Sequence, residues 1–302
     1  MDIVSQDNSK QAEHSCFYTT EEIKDLNIPL AEYITEIPEP KQCQFCGKTL
    51  YHQGALFMGK IMSIMNKPMR CDCEAAISYW EKQDAIEQER LKKEQQEKEA
   101  KELLEKFKRA GIDKRHIDCA FNNYRVNKDN PQQIKAYEKM KNYLLNYDQF
   151  AKQGRGLYVE GTYGTGKTHL VTAIAKERVR QGDKVRIKTP TDLLLGIRSS
   201  FDSKNEDRER DIIQWYQTID LLILDDFGKQ KTTEWGMAVL YEIINYRYAQ
   251  MLPTIITTNF NETSLIEALS SKDVDRSKIE SIISRLHETT DVVTMAWVDF
   301  RG

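Results

Sequence analysis

No stretch of this 302-residue sequence approaches the roughly 18 to 20 consecutive apolar residues that a membrane span needs. The first ten residues, MDIVSQDNSK, also lack the basic and apolar regions of a secretory leader. The expectation is a cytoplasmic protein that makes no membrane contact. Cysteine is scarce, at six residues, and in a reducing compartment these are thiols or metal ligands, because disulfides rarely persist there. An excess of one charge is missing too: 44 Lys and Arg against 47 Asp and Glu leave a net charge of -3. That balance offers no global attraction to nucleic acid, so any such contact needs a local basic patch. Glu74 to Arg109 contains neither Pro nor Gly, which excludes a turn there and leaves a long helix as the natural reading.

What is present divides into three parts. A chain of this length accommodates one full-sized domain and something smaller. Residues 1–73 form the first part, expected to be a small zinc-binding, partner-docking module. Its first 40 residues mix polar side chains with Ile28, Pro29, Leu30 and Ile34, and read either as a small helical piece or as a tail. Cys43-x2-Cys46 and Cys71-x-Cys73 then flank an apolar middle, Ala55 to Met58. Four thiolates suffice for tetrahedral Zn²⁺ at about 2.3 Å per sulfur, and Gly47 permits the tight turn of a zinc knuckle. The alternatives are four free thiols, or His52 in place of one cysteine; Cys16 and Cys119 read as bystanders. A zinc ribbon docks protein or DNA, and the pattern does not separate the two.

Residues 74–110 form the second part, a connector dense in Glu, Lys and Gln. Glu89 with Lys93, Glu94 with Lys98, Glu97 with Lys101 and Glu102 with Lys106 stand i to i+4 in the favourable order, each contributing about 0.2 to 0.5 kcal/mol. Apolar residues gather at the ends (Ile77, Tyr79, Trp80; Leu103, Leu104, Phe107), so the middle is expected to be solvated.

In residues 111–302 strands and helices alternate, the signature of an α/β fold with a mainly parallel sheet. Expected strands are 156–160, 184–188, 221–225, 254–258 and 292–298. Expected helices are 167–181, 191–198 and 233–250.

The chemistry is concentrated here. Gly161-Thr162-Tyr163-Gly164-Thr165-Gly166-Lys167-Thr168 matches GxxxxGK[ST] in full, with a strand before it and a helix after it. The glycines let the loop wrap so that backbone N–H groups and the helix N-terminus face a β-phosphate. Lys167 brings positive charge to the β/γ-phosphates and Thr168 a hydroxyl to Mg²⁺. Asp220 to Asp226 is an apolar strand ending in two carboxylates at the edge where α/β folds bind ligands. Asp225 is assigned to the Mg²⁺ shell and Asp226 to polarising the attacking water. Pro253 to Thr258 ends in Asn259, whose amide is placed to orient that water or touch the γ-phosphate. Arg285, in Ile282-Ile283-Ser284-Arg285-Leu286, reads as one exposed guanidinium among apolar neighbours, either an arginine finger or a surface ion-pair residue.

Gly111-Ile112, Phe121-Asn122-Asn123-Tyr124, GTYGTGKTHL, LLILDDFG, TIITTNF and ISRL, in this order and spacing, resemble the AAA+ ATPases of the DnaC/DnaI helicase-loader group and the related IstB-type transposition ATPases. The resemblance covers about Gly111 to Gly302. It implies a five-stranded sheet of order 5-1-4-3-2, little or no helical lid, Asn259 as sensor 1 and Arg285 as a finger acting on a neighbouring subunit's ATP. The nucleotide contacts it implies run from Gly161 to His169 and include Asp225. Arg301 is too weakly placed to be named a sensor-2 arginine. Where the group lines a single-stranded DNA path, this chain has Arg198, Ser199, Ser200 and Phe201, able to supply a phosphate contact, hydroxyl donors and a stacking ring. An ordinary amphipathic helix and loop is the plain alternative, and Lys229 and Lys231 are further candidates for that path.

The function so implied is an ATP-dependent helicase loader in DNA replication initiation. It would bind a replicative DNA helicase and single-stranded DNA, self-associate through AAA+ interfaces, and use ATP, Mg²⁺ and Zn²⁺. The alternatives are an IstB-like transposition helper and a nucleotide-gated adaptor with little hydrolysis. The metal-binding module and long connector favour the loader.

Overall fold

The computed structural model describes residues 17–199, 206–230, 233–270 and 274–297. The chain divides into two units, Met1–Glu97 and Lys98–Gly302. No helix among the described residues is long and apolar enough to cross a membrane.

In the first unit β1 (Phe17–Thr19) runs into α1 (Thr20–Asp25), whose start is fixed by a capping box between Thr19 and Glu22. Two short strands, β2 (Lys41–Gln42) and β3 (Thr49–Leu50), pair antiparallel and hold the first cysteine pair between them. A hairpin of β4 (Gln53–Phe57) and β5 (Lys60–Ile64) follows, and β1 joins it to give a sheet of order β1-β4-β5. Ile23 and Ile61 are its buried centre, and Leu30 forms a bridge to Ile61. The stretch after residue 16 is therefore neither a lone helix nor a tail, because strand pairing through β1 gives it a place in the sheet.

The long helix α2 spans Glu74–Ala110, as the lack of Pro and Gly predicts. Its ion pairs centre on Arg90, which bridges Glu87 at 2.6 Å and Glu94 at 2.9 Å. The unit boundary falls inside this helix, after Glu97, since Phe107 and Ala110 already belong to the core of the second unit.

The second unit begins with 3₁₀ turns at Lys114–His116 and Phe121–Asn123, then α3 (Pro131–Leu145) and α4 (Tyr147–Lys152). The main alternation runs β6 (Gly156–Gly161), α5 (Lys167–Gln181), β7 (Val185–Lys188), α6 (Pro190–Ser199), α7 (Glu206–Thr218), β8 (Leu221–Phe227), α8 (Glu234–Ala249) and β9 (Thr254–Thr258). It closes with α9 (Glu262–Leu269), α10 (Arg276–Thr289) and β10 (Thr290–Met295). The last strand starts two residues before the expected 292 because Thr290 and Asp291 pair with Gly156 and Leu157.

The sheet order β10-β6-β9-β8-β7, all parallel, is the expected 5-1-4-3-2. Side chains alternate across it. Leu157, Val159, Leu221, Ile223 and Ile255 pack against α3 and α5, while Tyr158, Leu222, Leu224 and Ile256 pack against α6 to α10. Both faces are thus covered, and ligand access is confined to the strand ends. Among the described residues no helix follows β10.

Candidate functional site

Three strand ends meet at the carboxyl edge of the sheet. β6 delivers the phosphate loop, and two of its glycines are dictated by crowding. A Cβ on Gly161 (φ +147) would lie 2.0 Å from the Met295 carbonyl oxygen, and one on Gly166 (φ +88) would lie 2.5 Å from the ring of Tyr124. Gly166 caps α5 with no side-chain acceptor, which leaves the first N–H groups of the helix without intrahelical partners beside the cleft that Gly164, Gly166 and Lys167 line.

Lys167 is buried, and its Nζ donates to the carbonyls of Gly161 at 3.0 Å and Thr162 at 2.7 Å and to Asn259 Oδ1 at 2.7 Å. The Thr168 hydroxyl donates to Asp225, 3.0 Å from each carboxylate oxygen. Asp225 is 9% exposed, and that burial pushes its carboxyl up, with the Thr257 hydroxyl at 2.6 Å opposing the shift and the charge of Asp226 adding to it. A hydroxyl and a carboxylate side by side are the oxygen donors a hard cation such as Mg²⁺ takes. Asp226 has a left-handed backbone (φ 59), donates its N–H to the Thr257 hydroxyl at 2.9 Å, and pairs with Lys229 at 2.9 Å. Asn259 Nδ2 is buried without an acceptor among the described residues, a donor aimed at a site with room for one.

These groups line one cleft of about 490 Å³, whose far wall is Arg115, His116 and Cys119 from the lead-in segment. Lys167, Thr168, Asp225, Asp226 and Asn259 are thus brought together as expected. Lys176 anchors that wall from α5, its Nζ meeting the carbonyls of Ile117 and Cys119, the latter at 2.8 Å. His169 lines the cleft, yet its Nε2 sits 2.9 Å from the Ala120 carbonyl, so its ring ties the lead-in to α5 rather than standing free for phosphate.

Thr257, which donates to the Asp225 carboxylate and accepts the backbone N–H of Asp226, is a site residue that the sequence reading does not single out. Its signal lies in the register: β8 and β9 are neighbours, so the end of one must face the end of the other. The lead-in wall carries no local signal.

Arg285 is not in the cleft wall. It is half-buried rather than exposed, with its guanidinium 5.3 Å from the Tyr241 ring and 5.6 Å from the Tyr248 ring. Nη1 donates to the Ser281 carbonyl at 3.1 Å and also meets the Ser281 hydroxyl. None of the ion pairs among the described residues includes it. Arg198 and Ser199 are exposed at the end of α6, while Ser200, Phe201, Lys231, Cys16 and Arg301 lie outside the described residues.

In the first unit the sulfurs of Cys43, Cys46, Cys71 and Cys73 all lie within 4.8 Å of one another, with Cys46–Cys71 at 3.4 Å and Cys43–Cys73 at 3.9 Å. A tetrahedron with metal–sulfur arms of about 2.3 Å has edges of about 3.8 Å, so the four thiols already stand at zinc spacing. Backbone N–H groups of Phe45 and Cys46 lower the Cys43 thiol to about 7, favouring its thiolate, whereas the Cys71 and Cys73 thiols are raised, so the spacing of the sulfurs and not their acidity carries the zinc reading. His52 does not join this cluster of ligand atoms, and its Nδ1 lies 2.7 Å from the Met65 carbonyl.

Comparison with known proteins agrees with this geometry. The chain is 27% identical over 220 residues, 73% of its length and 86% of the relative's, to the replicative helicase loader DnaC of Escherichia coli strain K12. The crystal structure of the DnaC helicase loader matches with a TM-score of 0.51 at 23% identity, covering 61% of this chain and 99% of that one. The crystal structure of DnaI gives a TM-score of 0.51 at 23% identity, covering 62% and 93%. These two share the AAA+ fold seen here. The sequence profile of the IstB-like ATP binding proteins matches residues 55–297, and with most of its length inside that match this chain belongs to the IstB-like ATP-binding family.

Proposed function

We propose that the protein is an ATP-hydrolysing loader that binds a replicative DNA helicase through its N-terminal module and helps place it on single-stranded DNA in replication initiation. The observation that carries this reading is the meeting of Lys167, Thr168, Asp225, Asp226 and Asn259 in one cleft of a fold shared with DnaC.

Lys167 and the loop N–H groups would hold the phosphates, and Thr168 with Asp225 would hold Mg²⁺, which supplies charge neutralisation across the β- and γ-oxygens. Asp226 would take the proton-accepting side of the attacking water, and Asn259 would orient it. Arg285 would complete the site from a neighbouring subunit.

The four cysteines would hold Zn²⁺ and so fix the β2–β3 turn against the start of α2. On the β4–β5 hairpin and the segment after it, between the two cysteine pairs in the sequence, Phe57, Met58, Met62, Met65 and Met69 are all exposed. Exposed apolar clusters mark protein-binding surfaces, and methionine adapts to a partner's shape. That supports helicase docking as the module's work. Arg198 and Ser199 are the described candidates for DNA contact.

The test is co-elution of the full chain with the replicative helicase of the same organism, with ATP turnover measured with and without single-stranded DNA. Complex formation that survives Lys167→Ala but fails when the exposed methionines are changed to Ser is the expected result. No complex under any nucleotide condition would sink the loader reading. Turnover without helicase binding would turn attention to the transposition helper.

A further inference from the structure

The ion pair between Asp226 and Lys229 is partly exposed and lines the cleft, where hydrolysis would be controlled. β8 ends at Phe227 and the chain turns back at once, so that the Lys229 N–H faces the Asp226 carbonyl at 3.4 Å. This turn puts the Lys229 ammonium 2.9 Å from Asp226 Oδ1 and 4.7 Å from the centre of the Tyr163 ring in the phosphate loop. Lys229 therefore spans the mouth of the cleft, from the carboxylate on one side to the loop on the other.

We propose that Lys229 is a positioning residue that restrains Asp226 and releases it when a phosphate oxyanion at the mouth of the cleft takes the ammonium group. The inference rests on the reading of Asp226 as the carboxylate that polarises the attacking water. An ammonium in contact with a carboxylate occupies one of its oxygens and fixes its orientation, so that oxygen is not free to accept a hydrogen bond from an attacking water. The backbone offers Asp226 no escape, because its left-handed conformation is pinned by the bond from its N–H to Thr257. The position of the Lys229 Nζ therefore bears directly on the carboxylate. Asp225, buried behind it, pairs with Thr168 and Thr257 instead, so the restraint acts on one of the two carboxylates and leaves the cation-binding one alone.

The strength of the pair suits exchange. Its side chains are 36% and 37% exposed, and ion pairs so exposed bias an equilibrium by no more than about fivefold. A phosphate oxyanion offers the same ammonium charge-assisted hydrogen bonds of at least equal strength, and lysine has three donors to give. The oxyanion has two sources, the γ-phosphate of bound ATP and the backbone of single-stranded DNA.

The test compares wild type, Lys229→Met and Lys229→Arg in steady-state ATP turnover, with and without an oligothymidylate, alongside ATP and ADP binding. Lys229→Met is expected to raise kcat in the absence of DNA by about two- to fivefold at unchanged KM. Lys229→Arg, which can still pair with Asp226, should return kcat to the wild-type value. Loss of DNA stimulation in Lys229→Met assigns the releasing phosphate to DNA, whereas loss of the preference for ATP over ADP assigns it to the γ-phosphate. A kcat that falls tenfold or more, or one that does not change, overturns the restraint. If wild type itself turns over no ATP, the parent reading of Asp226 fails instead, a result separate from indifference to Lys229.

Discussion

Tyr124 donates its hydroxyl to the carbonyl of Thr165 at 2.8 Å, clamping the phosphate loop from the lead-in segment. Burial pushes this phenol up to about 12, so it remains a donor across the working pH range. Its ring fills the space in front of Gly166, which makes Gly166→Ala doubly unfavourable: the backbone is left-handed there and the new methyl meets the ring. That variant should lose about five- to 150-fold in ATP affinity, since a strain of about 1 to 3 kcal/mol falls on the loop itself. Tyr124→Phe, which removes one hydrogen bond, should cost only about 0.5 to 1.5 kcal/mol. Fluorescent-nucleotide titration separates the two, and equal affinities would show that the ring does not shape the loop.

Lys167→Ala should abolish tight ATP binding with the fold intact, because the lysine faces the cleft and supports no hydrophobic contact of the core. Asp226→Asn should keep ATP·Mg²⁺ bound and slow its hydrolysis, since Asp225 and Thr168 are untouched. Calorimetric binding followed by single-turnover hydrolysis distinguishes these outcomes. Unchanged turnover in Asp226→Asn would move the water-polarising role elsewhere.

The phosphate loop and the two-aspartate strand are legible in the sequence because each is short and local, and their order along the chain fixes a parallel sheet with its ligand edge. The 5-1-4-3-2 order needs the resemblance to a family, since spacing alone does not choose among parallel topologies. Helices α3 and α4 are not among the expected helices, although their signal is present: Asn130 and Pro131 mark a helix start, and Ala136, Met140, Tyr143 and Tyr147, all buried, recur at spacings of three and four. Thr257 and the lead-in wall of the cleft depend on which strands and loops become neighbours, which no local pattern encodes. Arg285 reads as exposed in the sequence because its two tyrosines come from α8, some forty residues earlier in the chain.

Arg247 is illegible for the same reason. In IINYRYAQ it looks like a surface residue, yet it is 1% exposed. Its guanidinium donates to the carbonyls of Tyr216, Gln217, Ile219 and Pro253 and to the Thr254 hydroxyl. Burial lowers its pKa to about 10, so it remains charged at neutral pH. Arg247→Met keeps much of the volume and strands these acceptors, which should cost about 3 kcal/mol or more. For a unit of this size that lowers Tm by about 6 to 12 °C. A melting temperature within a degree of wild type would mean that water replaces the guanidinium without loss.

The cysteine cluster predicts one equivalent of zinc per chain, lost when Cys43 and Cys46 are both changed to Ser. The ATPase unit should still bind nucleotide, because its core contains none of these residues. Elemental analysis of reduced protein reads the metal and nucleotide titration reads the other unit. Zinc-free wild-type protein would leave the four thiols as a cluster without a ligand.

Arg285 tests whether the site is completed by a second subunit. It lines no part of its own cleft, so it reaches a γ-phosphate only if assembly brings it across an interface. Leaving its two tyrosines costs little, since each such contact contributes about 0.5 to 1 kcal/mol at a partly exposed site. A finger contributes about 10³ to 10⁵ in rate by offsetting charge on the transferring phosphoryl oxygens, equivalent to about 4 to 7 kcal/mol. If Arg285 is such a finger, stabilisation of the phosphoryl group would outweigh the loss of the two rings, and the arginine would move into an interface that holds a nucleotide. Arg285→Ala should therefore bind ATP normally and lose the turnover that emerges with single-stranded DNA or helicase. Mixing it with Lys167→Ala sharpens the test, because a mixed interface joins an intact phosphate loop from one chain to an intact arginine from the other. Recovery of hydrolysis in the mixture is the expected outcome. If the mixture stays inactive where wild type assembles and turns over, Arg285 serves only to hold α10 against α8 through Tyr241 and Tyr248.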